Sequence, residues 1–383
     1  MNLILSPASV QDAHDGRGQI DCLTGLRFIA AIGVLLSHFS SLLRLGPNWQ
    51  FAADFAGSFV FLFFVLSGFI LTHQYDGRLF SPQQLRFYFR ARFARIAPVY
   101  WLCLFATLII FFVLGFELSL GGQLSVGDRF LSFGINFLAI QAWIPSAQIQ
   151  QFWNAPAWSV SSEIFFYCLL PYLLRLKILD GSFRTAAKLW LAIALTLLIY
   201  ATIIDRAIGL SAPGAPVWLY YFVRCPLFGL YCFVLGINLA RASETSLSRI
   251  QWLACCAFLI LSLITAYLVR NSGLGHTDLV LAGCAAYYLV YAPTFYLIIL
   301  VLRSEPPLLV YLLGNRVMVT LGHSSYVLYL IHWIALMYAN GHVDKSGPWP
   351  MLYLLAFVLA QVVLSIILFY LFENPMRRRL RYQ

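Results

Sequence analysis

The sequence predicts an all-α fold, a polytopic membrane helix bundle of about ten transmembrane helices plus one short re-entrant or interfacial helix. Three observations lead there. Hydrophobic residues fill 61% of the 383 positions and charged residues only 10%, where a soluble chain runs nearer half apolar and a quarter charged. Apolar stretches of ~17–25 residues recur along the whole length, as a ~30 Å hydrocarbon core requires. Basic residues gather on alternate connections, the positive-inside pattern.

The apolar stretches fall at about 24–43, 52–73, 98–116, 159–175, 187–204, 217–240, 250–269, 278–302, 319–339 and 351–373. A further stretch, 129–143, is short and carries Asn136 and Gln141, so it is read as staying on one side. With it left out, 18 Lys and Arg lie on the side of the N-terminus and 5 opposite, Arg27 and Arg224 being inside spans. If 129–143 crossed, every later connection would change sides and the bias would largely vanish. Both termini are therefore expected in the cytoplasm. Residues 1–22 are read as a cytoplasmic tail, 23–376 as the membrane domain and 377–383 as a basic cytoplasmic tail.

Residues 1–20 lack a basic segment ahead of an apolar core, so no cleaved signal peptide is expected. The net charge of +10 is explained by the membrane rule, and no nucleic acid is expected as a partner. The eight cysteines show no CxxC spacing; neither a disulfide framework nor a metal site is expected. The connection 74–97 is Arg-rich. Pro82 opens it and Pro98 closes it, which suits a helix lying in the cytoplasmic interface. The connection 117–158 ends near Trp153 and Trp158, which suit an aromatic belt on the outer face.

Against this background the ionisable residues inside spans stand out. Arg27 and His38 lie eleven residues apart in the first span, almost three turns, so they share one face ~16 Å apart along the axis. Each costs on the order of 2.5–3.5 kcal/mol in hydrocarbon on insertion scales. Counting residues from the span ends puts His38, Glu163, Arg224 and His332 at one depth in the outer half, around a common polar pocket. Arg27, His73, Arg90, Arg92 and Arg95 gather at the cytoplasmic edge, where guanidinium groups bind phosphate bidentately. Simpler readings exist for each. The arginines also suit anionic lipid headgroups. Glu163 also suits a helix cap, Arg224 a counter-ion to Glu163, and His332 a structural histidine.

These residues carry a family pattern. Arg27 and His38 stand in GLRFIAAIGVLLSHF. Phe63-Phe64-Val65-Leu66-Ser67-Gly68 reads FFxxSG. Arg92-Phe93-Ala94-Arg95 reads RxxR and runs on to Trp101. Trp158-Ser159 with Glu163, Ser324-Ser325-Tyr326 with His332, and Glu373-Asn374-Pro375 follow in order. In this arrangement the chain, from about 20 to 380, resembles the acyltransferase-3 family of integral membrane O-acyltransferases, in the stand-alone form without a fused extracytoplasmic domain. The family acylates bacterial surface glycans and some antibiotics.

The resemblance implies transfer from cytosolic acyl-CoA, most often acetyl-CoA, to a sugar hydroxyl of a glycan or glycolipid. It implies a bacterial cytoplasmic (inner) membrane setting, with acyl-CoA as co-substrate and no permanently bound cofactor. His38 is then the expected general base, with Arg27 and Glu163 beside it. Arg90, Arg92, Arg95, Ser67, Gly68 and His73 are expected at the donor, and Trp158, Arg224, Tyr326 and His332 at the acceptor pocket. A transporter or flippase moving acyl groups or glycolipid without chemistry of its own is the rival class. It would show matched, Gly/Pro-broken halves, which are not evident here.

Overall fold

The computed structural model describes residues 20–43, 47–78, 81–114, 124–209, 215–243, 249–272, 276–342 and 350–382. Most of the expected N-terminal tail, and the basic positions Arg17, Arg44 and Lys345, lie outside the described residues. Among the described residues every regular element is helical, as the composition requires.

The chain begins with α1 (Asp21–Leu43), α2 (Pro47–Gly57), α3 (Phe59–Tyr75) and α4 (Pro82–Leu114). Then come the shorter α5 (Val126–Phe137), α6 (Ala147–Gln151) and α7 (Trp158–Leu173). The second half holds α8 (Phe183–Ile208), α9 (Ala215–Arg224), α10 (Pro226–Arg241), α11 (Arg249–Asn271) and α12 (His276–Ala285). It ends with α13 (Ala292–Arg303), α14 (Pro307–Leu313), α15 (Arg316–His342), α16 (Pro350–Leu368) and α17 (Asn374–Tyr382). Single π-helical turns at Ala286–Tyr291 and Phe369–Glu373 join α12 to α13 and α16 to α17.

Nine helical stretches among the described residues are long and apolar enough to cross a membrane. They sort into two shells. Phe183–Ile208, Trp252–Asn271 and Leu352–Arg381 bury 17% of their most apolar stretch, against 67% for Gln50–Tyr75, Pro216–Arg241 and Asp278–Arg303. The first three therefore give most of their apolar surface to lipid, and the others form the core. The tenth expected span, 159–175, is the 16-residue α7, ~24 Å long and short of a ~30 Å core. The short helix α5 has 12 residues, ~18 Å, too few to cross.

Two expected boundaries differ. Pro98 does not close a separate interfacial helix, because α4 runs through it for 33 residues. That is ~50 Å of helix, so its Arg-rich start extends beyond any hydrocarbon core that its apolar end occupies. The span expected at 217–240 is broken at Cys225, whose ψ of 129° leaves the helical region ahead of Pro226, as a residue before proline tends to do.

The segment between α5 and α7 folds into the bundle instead of resting on its outer face. Asn136 and Gln141, the polar residues that made 129–143 a poor span, stitch it in place. The Asn136 amide donates to the carbonyls of Ser132 (2.9 Å) and Ile149 (3.1 Å), and the Gln141 amide donates to the Ala157 carbonyl (2.8 Å). Trp153 and Trp158 are 3% and 9% exposed, so neither forms the expected outer aromatic belt. Asn154 donates to the Leu330 carbonyl on α15 (3.0 Å), and the Tyr329 hydroxyl donates to the Pro156 carbonyl (3.0 Å). As a result α7 starts deep, beside the middle of α15.

Candidate active site

A cavity of about 570 Å³ is walled by α1, α2, α3, α7, α9, α11, α12, α15 and the π turn after α12, with Gln151 at the end of α6. His38 enters it from α1, Trp158 from α7, Arg224 from α9, and Tyr329 and Trp333 from α15. Positions 329 and 333 are one turn apart and so share a face of α15. Trp333 meets the His38 ring edge-on, with centroids 5.2 Å apart at 77°.

The Nδ1 of His38 lies 3.0 Å from the Nε2 of His332. The rings are 12° from coplanar with centroids 5.2 Å apart, the separation of two imidazoles meeting edge to edge rather than face to face. His332 is 1% exposed and stands behind His38 instead of lining the cavity. Its Nδ1 is 3.3 Å from the Leu328 carbonyl one turn earlier.

Glu163 is not at this level. Its carboxylate accepts from the Ser67 hydroxyl (3.2 Å) and the Tyr167 hydroxyl (3.2 Å). The deep start of α7 is the cause. Ser159 lies 2.8 Å from the Tyr329 hydroxyl, already a turn below His332, and Glu163 is a further turn down. Arg224 accordingly does not pair with it; its guanidinium lies 3.5 Å from Gln150 Oε1 and over the Tyr220 ring at 5.8 Å.

Glu163 belongs instead to a second, lower cluster. Arg27 is within electrostatic reach of Glu163, Tyr167 and Arg92. The Arg92 guanidinium lies over the rings of Tyr75 (5.7 Å) and Tyr167 (5.9 Å). Arg95 is ion-paired with Glu373, which is 1% exposed, and lies over the Tyr326 ring at 5.2 Å. Tyr326, expected at the acceptor, thus sits here, its hydroxyl donating to the Ile96 carbonyl (3.0 Å). Arg90 donates to the Leu380 carbonyl (3.4 Å), and His73 stacks on Phe69 at 6.0 Å.

Gly68 is also reassigned. A Cβ there would meet the Phe233 carbonyl oxygen at 2.0 Å, and one at Gly236 would meet the Val65 carbonyl oxygen at 2.0 Å. The two glycines interlock α3 with α10, so the space Gly68 leaves is filled by protein. Ser67, on the neighbouring face, is the member of the pair that reaches the polar cluster.

The cavity lining reaches down α1 as far as Val34 and includes none of Arg27, Ser67, Glu163, Arg92 or Arg95. The site is therefore two polar clusters stacked along α1. Reading the sequence missed several cavity residues: Asp54, Tyr287, Tyr329 and Trp333. Tyr329 and Trp333 carried a signal, since they sit a turn or less from His332. Asp54, 3.8 Å from Arg270 at the rim, carried none.

The fold and its two buried polar clusters define a multi-pass helical membrane protein with an internal site. Residues 20–370 match a family model described as an acyltransferase domain, and the chain belongs to this acyltransferase-3 family. The chain is similar to acyltransferase MdmB of Streptomyces mycarofaciens, 28% identical over 388 residues that cover 94% of this chain and 92% of that protein. It is also similar to protein 2 in the picA locus of Rhizobium radiobacter, 29% identical over 151 residues, 37% of this chain and 75% of that one. No solved structure matches significantly. The protein is thus a membrane acyltransferase.

Proposed function

We propose that the protein moves an acyl group, acetyl in the simplest case, from cytosolic acyl-CoA to a hydroxyl of a sugar in a surface glycan or glycolipid. The observation that supports this most is His38 on the wall of an aromatic and polar cavity. Trp158, Tyr287, Tyr329 and Trp333 offer flat faces to the C–H side of a sugar ring, and Asp54 and Arg224 offer partners to its hydroxyls. In this reading the membrane is the bacterial cytoplasmic one and both termini are cytoplasmic.

The donor phosphates rest on Arg92, helped by Arg90 and Arg27, while Arg95 is largely neutralised by Glu373. The acyl arm then has ~16 Å of α1 to pass from Arg27 to His38. His38 takes the proton of the attacking hydroxyl. The new C–O bond forms, the C–S bond breaks, and the thiolate leaves with the C–S electron pair and collects the proton from His38. Such a base contributes ~10²–10⁴-fold to rate.

The test is purified protein in detergent with radiolabelled acetyl-CoA and glycolipid from a strain lacking the gene. Label is expected in the glycolipid, at a rate lower by ~10²–10⁴-fold with His38→Ala. Because detergent has no compartments, transfer there is chemistry and not transport. Absence of transfer by the native protein, with label only on transport across sealed vesicles, would overturn the reading in favour of a flippase.

A further inference from the structure

We propose that His332 is a positioning residue that acts through His38, fixing the tautomer in which His38 can serve as a base. The inference rests on the reading of His38 given above. It follows from a chain of three atoms that must agree on where the protons are. A carbonyl oxygen accepts and never donates, so the 3.3 Å contact with Leu328 puts the hydrogen of neutral His332 on Nδ1. Its Nε2 then carries a lone pair. The 3.0 Å contact between the two rings needs one hydrogen, and that hydrogen has to come from Nδ1 of His38. Neutral His38 is left with its lone pair on Nε2, and His38 is the member of the pair that lines the cavity.

In hydrolase triads a carboxylate holds the base histidine in this way. Here Glu163, the carboxylate expected beside His38, is instead occupied by Ser67 and Tyr167. An imidazole is a less costly substitute in an apolar interior, because it orients its neighbour without bringing a charge. The near-coplanar rings are what an in-plane N–H···N bond demands, and the burial of His332 excludes water as a competing partner. When His38 takes the hydroxyl proton on Nε2, its Nδ1–H becomes a charge-assisted donor to the His332 lone pair, and the proton on Nδ1 stays where it was.

The proposal is tested by protein labelled with ¹⁵N-histidine, with the His38 signals assigned by their loss in His38→Gln. Wild type is expected to show Nδ1 protonated and Nε2 bare near neutral pH. His332→Leu is expected to mix the two tautomers, and His332→Gln, whose side-chain oxygen can accept from Nδ1, to keep the native one. Nε2 protonated in the wild type overturns the proposal without any activity measurement, and without requiring that a His332 variant fold.

The second readout is transfer from labelled acetyl-CoA to the glycolipid fraction. His332→Leu is expected to lower kcat about 100-fold with the KM for acetyl-CoA changed less than about twofold, and His332→Gln to recover to within about tenfold of wild type. A His332→Leu protein with native kcat, beside an inactive His38→Ala, overturns the positioning role and leaves the base in place. Near-native activity in His38→Ala overturns the base itself.

Discussion

His38 and His332 stand 294 positions apart in the chain and meet through one N···N contact of 3.0 Å. That contact joins the first span to the ninth of the ten expected and places an imidazole pair against an aromatic cavity. If the pair is the centre of the chemistry, His38→Ala should lower the transfer rate by ~10²–10⁴-fold. Expression and elution as a monodisperse species should be unchanged, since the ring faces a cavity. Retained transfer would remove His38 from the mechanism.

The two arginines of RxxR differ in what surrounds them. Arg95 has a buried carboxylate partner in Glu373, while Arg92 lies between two tyrosine rings. Loss of a charged hydrogen bond costs about 1.5–3 kcal/mol, roughly 10–100-fold in affinity. Arg92→Ala is therefore expected to raise the acetyl-CoA KM on that scale, with the acceptor KM little changed. Equal donor and acceptor effects, or none, would return Arg92 to lipid or structural duty.

Removing one partner of a buried ion pair leaves the other uncompensated, at about 3–5 kcal/mol. Glu373→Ala should accordingly lower the thermal unfolding temperature in detergent. The double variant Arg95→Met with Glu373→Leu should recover most of the loss, because both charges are gone. Additive losses in the double variant would show that the pair is not coupled.

Gly68 was expected to admit the donor and instead interlocks with Gly236. Gly68→Ala forces a methyl against the Phe233 carbonyl, and overpacking of this kind costs about 1–3 kcal/mol or more. The expected result is a lower unfolding temperature, with an unchanged acetyl-CoA KM in the protein that folds. A raised KM at native stability would restore Gly68 to the donor site.

Single cysteines at Pro145 and Val310, each in an exposed position, test the orientation. A membrane-impermeant thiol reagent on intact spheroplasts is expected to label 145 and not 310. Labelling of both from one side would overturn the ten-crossing arrangement.

Much of this protein is legible in its sequence. Hydrocarbon imposes a length and a polarity on every span, so the helices and the residues out of place in them are visible in one dimension. Arg27, His38 and Arg224 were found by that rule, and two of the three line the cavity; Trp158, which also lines it, came from the family resemblance. Depth along a span was legible only where the chain enters from the membrane edge. Glu163 was placed too high because the segment before α7 turns inward, through hydrogen bonds from Asn136, Gln141 and Asn154.

The sequence by itself determined the class of fold and the set of polar residues that hydrocarbon would not tolerate without a reason. Tertiary structure alone decided which of them meet: His38 with His332, Glu163 with Ser67, Arg95 with Glu373. The physical reason is that the solvent acts on each residue separately and so leaves its mark on the local sequence. A partner is chosen by how whole helices pack, and that depends on glycine contacts and buried loops hundreds of residues away.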